Sequence, residues 1–325
     1  MSPPSQPGAG DTNISTPGSP SANAGHNATG AAPWLAFAVC CTIWGSTFLF
    51  IRMGNDTTPP VWAAAVRLTL ATVMFALITL VLRKPWPRSK QLEAAVWFGV
   101  VDFGISLPLL YWGEQRVPSG IAAVLYATIP LTTALFARMA GLERLRPRII
   151  IASIVAIVGV ALLFSSQMSG GFDAVRLFAV FMAATTAGLA GVLLKRAPGA
   201  DPFATNCWAH GVGAVMCLIA SRVMGEAQSM PQGGAWIPIA YLTVIGSLGA
   251  FATFAWLIAR WSVTRISFVS VIVPVVALIL GVVVRHERPG STAVLGSIVI
   301  LGAVVTGIVG DHAAGASERR AAQQQ

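Results

Sequence analysis

Three ionisable side chains stand inside long apolar runs of this 325-residue chain: Arg67 in VWAAAVRLTLA, Asp102 in WFGVVDFGISLPLL and His210 in NCWAHGVGAVM. In hydrocarbon a central charge costs about 2.5 to 3.5 kcal/mol on insertion scales, so each such group needs a partner or a function. Asp102, with Gly99 and Gly104 close by, can bind a cation or amine or take up a proton; the alternative is a hydrogen bond to helix backbone or a structural pair with a base. Arg67 lies about seven residues into its run, roughly 10 Å deep at the helical rise. Its guanidinium can grip a carboxylate through two parallel bonds, or reach up to the headgroups. His210 carries an imidazole that titrates near neutral pH in water, although a single histidine in an apolar run more often joins two helices by a hydrogen bond. Two aromatic residues complete the candidates: Trp44, mid-run beside Gly45, walls a cavity or packs a core, and Tyr126, one turn before Pro130, offers a phenol to a pathway. Catalytic and metal patterns are missing. There is no G-x-x-x-x-G-K-[ST], H-E-x-x-H or G-x-S-x-G, and Cys40, Cys41, Cys207 and Cys217 show no ligand spacing and read as core-filling residues. No catalytic residue, metal or cofactor is expected, and the chain does not read as an enzyme.

The elements that must position these groups follow from composition. With 55% apolar and only 10% charged residues, the chain cannot clothe a water-soluble globule of its size. The apolar residues gather into ten runs long enough to cross about 30 Å of hydrocarbon, near 33–53, 61–82, 94–112, 119–137, 147–165, 176–194, 203–223, 235–257, 264–284 and 292–309. The reading is an all-α integral membrane protein of ten transmembrane helices. A formal charge of +9 does not point to nucleic acid, because the basic residues are spread over the connections. Fourteen of them fall on one side of the alternating spans and six on the other, which places both termini in the cytoplasm. Residues 1–32 are rich in Ser, Pro, Gly and Asn and read as a disordered cytoplasmic tail. The sequons at Asn13 and Asn27 would not be used there, and the absence of a basic leader segment makes the first span an anchor.

The chain also repeats itself. Pro130 to Glu143 and Pro274 to Glu287 share a thirteen-residue gap, each glutamate is followed by Arg, and Pro147 and Pro289 come next. At an offset of 143, Gly45 pairs with Gly188, Arg52 with Lys195, Pro59 with Pro202, Arg67 with His210 and Gly159 with Gly302. The expected organisation is a first repeat over 33–165, a second over 174–310 and a cytoplasmic tail over 311–325. Five spans per repeat is an odd number, so the two repeats are inverted relative to each other, an architecture of secondary transporters. Pro130 and Pro274 should kink the fourth and ninth helices. Glu143 and Glu287 are expected to serve the positive ends of the fifth and tenth helices.

Three stretches carry a resemblance to a known family: TIWGSTFLFIR (Thr42 to Arg52), PPVWAAAVRLTLA (Pro59 to Ala71) and SGIAAVLYATIPLTTALFARMAGLERL (Ser119 to Leu145). They resemble the EamA repeats of the drug/metabolite transporter superfamily, over residues 33 to about 310. The second half departs from the family pattern, with AATTAGLAGVLLK where Trp-Gly is usual and His210 where Arg is usual. Because Arg at the position of Arg67 is general to a family with diverse substrates, a structural role for it comes first. The resemblance implies a multi-pass protein of the bacterial inner membrane, in contact with lipid, that exports small metabolites such as amino acids or related compounds, or drugs. Protons are the candidate coupling ion, with Asp102 first and Arg67 and His210 second as site residues. The competing reading is a membrane protein that does not transport, or one that handles lipid-linked intermediates. No pattern in the sequence encodes the oligomeric state.

Overall fold

The computed structural model describes residues 31–117, 119–165, 173–197, 199–285 and 290–323. The disordered tail expected over 1–32 lies outside the described residues up to position 30, as do Glu287 and Pro289. The described residues form ten helices, one on each apolar run. They are α1 (Ala31–Asn55), α2 (Pro60–Val81), α3 (Lys90–Glu114), α4 (Ser119–Tyr126 then Ile129–Met139) and α5 (Pro147–Leu163). The second five are α6 (Ala174–Lys195), α7 (Pro202–Val223), α8 (Gly233–Ile258), α9 (Val263–Ser267 then Val269–Arg285) and α10 (Ser291–Gln323). At 17 residues α5 is the shortest, about 25 Å, and it lies along α10. Aliphatic side chains such as Leu77, Ile151, Ile219 and Ile298 point outward, as a lipid solvent requires.

Helix packing follows the repeat. Helices α2 and α7 pack on each other, and so do α5 and α10; α1 meets α9 and α8 as α6 meets α4 and α3; α2 meets α8 as α7 meets α3. Exchanging the two sets of five helices maps this contact pattern onto itself. Without a hydrophobic force between helices in lipid, close approach depends on small residues. A Cβ placed on Gly45 would stand 2.7 Å from Val276, and one on Gly188 would stand 2.7 Å from Thr132. Since 45 + 143 = 188 and 132 + 144 = 276, the same crossing is built twice from equivalent positions.

Ends and interruptions are set locally. Asp173 and Asp201 cap α6 and α7 by accepting backbone N–H bonds at 2.9 to 3.3 Å. Glu226 reaches back from the α7–α8 connection to accept from Val61 and Trp62 at the start of α2. Glu143 corrects an expectation: its carboxylate accepts the Val263 N–H at 2.6 Å, capping α9 rather than the adjacent α5. Lys195 binds the Trp261 carbonyl at 2.7 Å and that of Ile258, so the α8–α9 corner is held by an anion on one helix start and a cation on the preceding helix end. Helix α4 is interrupted at residues 127–128, and Pro130 occupies the first turn of its second segment, where a missing N–H costs nothing. Pro274 instead lies inside the second segment of α9, whose interruption comes earlier, at Phe268.

Candidate functional site

Both third helices of the repeats loosen at the same place. Gly99–Ser106 in α3 and Leu242–Gly249 in α8 are wound as π-helix, and 99 + 143 = 242. Single π-turns inside α-helices are common at functional sites, because the wider turn leaves backbone groups unmatched and redirects side chains. Asp102 sits within the first of these segments. Gly99 and Gly104 seat α3 directly on α7, where a Cβ would come 2.5 Å from the Ala209 carbonyl and 2.3 Å from Met216 Sδ. Asp102 is left facing the interior.

That interior contains a cavity of about 170 Å³ between the two repeats. Of the five candidate residues, Trp44, Arg67, Asp102 and Tyr126 all line it, although they come from four different helices. Arg67 is 3% exposed and is held from two sides: Nε donates to Ser247 Oγ at 3.0 Å and Nη1 to the Tyr111 hydroxyl at 3.1 Å. Its Nη2 passes over Gly246, where an ideal Cβ would stand 3.3 Å away. The Asp102 carboxylate makes no hydrogen bond or ion pair with the protein among the described residues, and it shares the cavity with Arg67 without forming a salt bridge to it. The Tyr126 hydroxyl shares a hydrogen bond with Ser106, which itself donates to the Ala183 carbonyl at 2.7 Å. The Trp44 ring rests on Phe251 and Phe254, at 5.3 and 5.4 Å between centroids. Apart from these polar groups and a few hydroxyls, the wall is mostly aromatic and aliphatic.

His210 is not in the cavity wall. It is 0% exposed, its Nδ1 lies 3.0 Å from the Asn206 carbonyl, and its ring packs on Phe103 at 4.1 Å and on Phe75 at 4.9 Å. The repeat explains the difference from Arg67. The position equivalent to Gly246 is Phe103, because 103 + 143 = 246. Glycine lets the arginine reach across to the cavity, whereas the phenylalanine covers the histidine. A second exchange acts the same way: Ala187 stands at the position equivalent to Trp44, both line the cavity, and the smaller residue leaves space on the α6 side. Reading the candidates singly missed Ser247 and Tyr111, the groups that hold Arg67. The signal that could have found Ser247 is the Phe103/Gly246 exchange, which marks its neighbourhood as unequal between the halves.

Comparison with known proteins bears on the family and the fold. Residues 32–165 and 175–308 each match the EamA-like transporter family. The uncharacterized inner membrane transporter YedA of Escherichia coli (strain K12) is 28% identical over 274 residues, covering 83% of this chain and 88% of that protein. A probable terminal-alkyne amino-acid exporter of Streptantibioticus cattleyicolor is 29% identical, over 82% of this chain and 89% of that protein. A probable amino-acid metabolite efflux pump of Salmonella typhimurium is 24% identical, over 82% and 92%. A crystal structure 20% identical in sequence covers 86% of this chain and 97% of its own, with a TM-score of 0.66, and shows the same fold.

Proposed function

Because the chain belongs to the EamA-like transporter family, we propose that it is a secondary transporter that exports small metabolites, amino acids or related compounds, across the inner membrane. Alternating access between the two inverted repeats exposes the central cavity first to one side and then to the other, with both termini in the cytoplasm. The observation that carries this reading is the cavity itself, which lies between the repeats and holds two opposite charges that form no salt bridge with each other. Each such charge is costly in the membrane interior, and water or a solute in the cavity relieves that cost. Asp102 is the first residue for proton coupling or amine recognition and Arg67 the second, while His210 packs α7 against α3. At about 170 Å³ the cavity is smaller than the roughly 300 to 1,000 Å³ of sites for drug-sized ligands, which favours small metabolites over drugs. Relatives named as an amino-acid exporter and an amino-acid metabolite efflux pump support the direction and the substrate class. The segmented α4 and α9, with Pro130 and Pro274, are the helices that flex during switching. Purified protein in liposomes, assayed for flux of a solute panel with and without a pH gradient, tests the proposal. Solute flux that depends on the protein is expected, and its absence for every solute would overturn it.

A further inference from the structure

The charges of the cavity do not match a simple ion. Arg67 and Asp102 together sum to zero, so a monovalent cation would pair with Asp102 and leave the site with a net positive charge, and a monovalent anion would do the opposite. An unbalanced charge held in a low-dielectric interior is strongly disfavoured. A solute carrying one positive and one negative group satisfies both residues and keeps the occupied cavity neutral. The groups are prepared for this in different ways. Arg67 spends Nε and Nη1 on Ser247 and Tyr111, which fixes the guanidinium plane and leaves Nη2 at the wall above Gly246. Asp102 has its carboxylate free of protein hydrogen bonds and ion pairs among the described residues. Beyond the two charges, the wall is mostly aromatic and aliphatic, with the rings of Trp44, Phe98, Phe103, Phe251 and Phe254. Such a wall favours an apolar group on the solute.

Resting on the transporter reading above, we infer that the cargo is a free amino acid with a bulky apolar side chain. Its carboxylate is bound by Arg67, its ammonium by Asp102, and its side chain lies against the aromatic wall that includes Trp44 and Phe254. Ser247 and Tyr111 are positioning residues that act through Arg67. The preference is therefore for the intact zwitterion: removing either charge leaves one protein charge uncompensated, and hydrogen bonds to charged groups are worth about 1.5 to 3 kcal/mol, a factor of roughly ten to a hundred and fifty.

The test uses the full chain in liposomes and competition for flux of radiolabelled L-leucine. Unlabelled L-leucine and L-phenylalanine should compete, whereas N-acetyl-L-leucine, which lacks the ammonium, L-leucinamide, which lacks the carboxylate, and glycine, which lacks the side chain, should each compete at least tenfold more weakly. Tyr111→Phe, which keeps the ring in place, should narrow the gap between L-leucine and L-leucinamide while leaving the gap to N-acetyl-L-leucine unchanged. Equal competition by L-leucinamide or N-acetyl-L-leucine, or stronger competition by glycine, would overturn the inference. So would flux of unrelated solutes without flux of L-leucine, which leaves the transporter reading standing. Absence of flux for every solute would take both down.

Discussion

Removing the Tyr111 hydroxyl should weaken recognition of a carboxylate without weakening the fold to a comparable degree. Tyr111 is 1% exposed, and its oxygen accepts a hydrogen bond from Arg67 Nη1 at 3.1 Å. In Tyr111→Phe the ring stays, so the packed core keeps its volume and only this bond is lost. A bond between a charged donor and a neutral acceptor contributes about 1.5 to 3 kcal/mol, of which the folded state recovers a part because Nη1 can turn toward the cavity. The guanidinium then keeps one anchor, Ser247, and swings about it. If the lost alignment falls fully on a bound carboxylate, the apparent KM for L-leucine flux rises about ten- to a hundred-and-fifty-fold; partial relaxation brings the expectation down to about tenfold. The assay is initial-rate flux in liposomes at matched protein orientation, with the unfolding temperature in detergent as the control on folding. L-leucinamide supplies the internal reference, since without a carboxylate its KM should not move. An unchanged KM for L-leucine, or an equal shift for L-leucinamide, would refute the view that Tyr111 serves by aiming Arg67.

Other consequences are more local. Gly188→Ala places a methyl group 2.7 Å from Thr132 Oγ1 and should destabilise the detergent-purified protein by about 1 to 3 kcal/mol through overpacking. Gly302→Ala, with no atom within 4 Å, should be neutral or stabilising by up to about 1 kcal/mol, and thermal unfolding of the two variants separates the cases. Glu143→Ala removes the carboxylate that accepts from Val263 and should cost about 0.5 to 2 kcal/mol, whereas Glu143→Gln, which keeps an acceptor, should cost less in the same measurement. His210→Phe should leave L-leucine flux within about twofold of the parent protein, because the ring is enclosed by Phe75 and Phe103 and does not line the cavity; flux at several pH values checks it.

Much of the architecture was legible in the residues. Ten apolar runs became ten helices because backbone satisfaction in lipid leaves an apolar segment of that length little alternative. The 143-residue offset pairs Gly45 with Gly188, and at both positions the structure brings a neighbouring helix into the same close approach. The site was legible one residue at a time: ionisable groups inside apolar runs singled out Asp102 and Arg67, and both line the cavity. What the pattern could not separate was Arg67 from His210. The offset makes them mates, but their surroundings are set by Gly246 and Phe103 on other helices, a contact visible only once α2 lies on α8 and α7 on α3. The π-helical segments were also hidden, because their polar residues, Asp102 and Ser106 in one and Thr243 and Ser247 in the other, recur four residues apart, a spacing that an ordinary α-helix produces as well. Glu143 was assigned to the helix beside it in sequence, and its actual partner lies 120 residues away.

On the proposed reading, Asp102 and Arg67 together make the cavity between the repeats a site for a zwitterionic solute that the protein moves across the membrane. L-leucine flux into liposomes containing either the parent protein or Asp102→Asn, run against N-acetyl-L-leucine as competitor, tests it most directly. The parent protein should transport L-leucine and be inhibited only weakly by the acetylated compound, and Asp102→Asn should lose at least tenfold in L-leucine flux and with it the discrimination against the acetylated compound. Unaltered flux and unaltered discrimination in Asp102→Asn would contradict it.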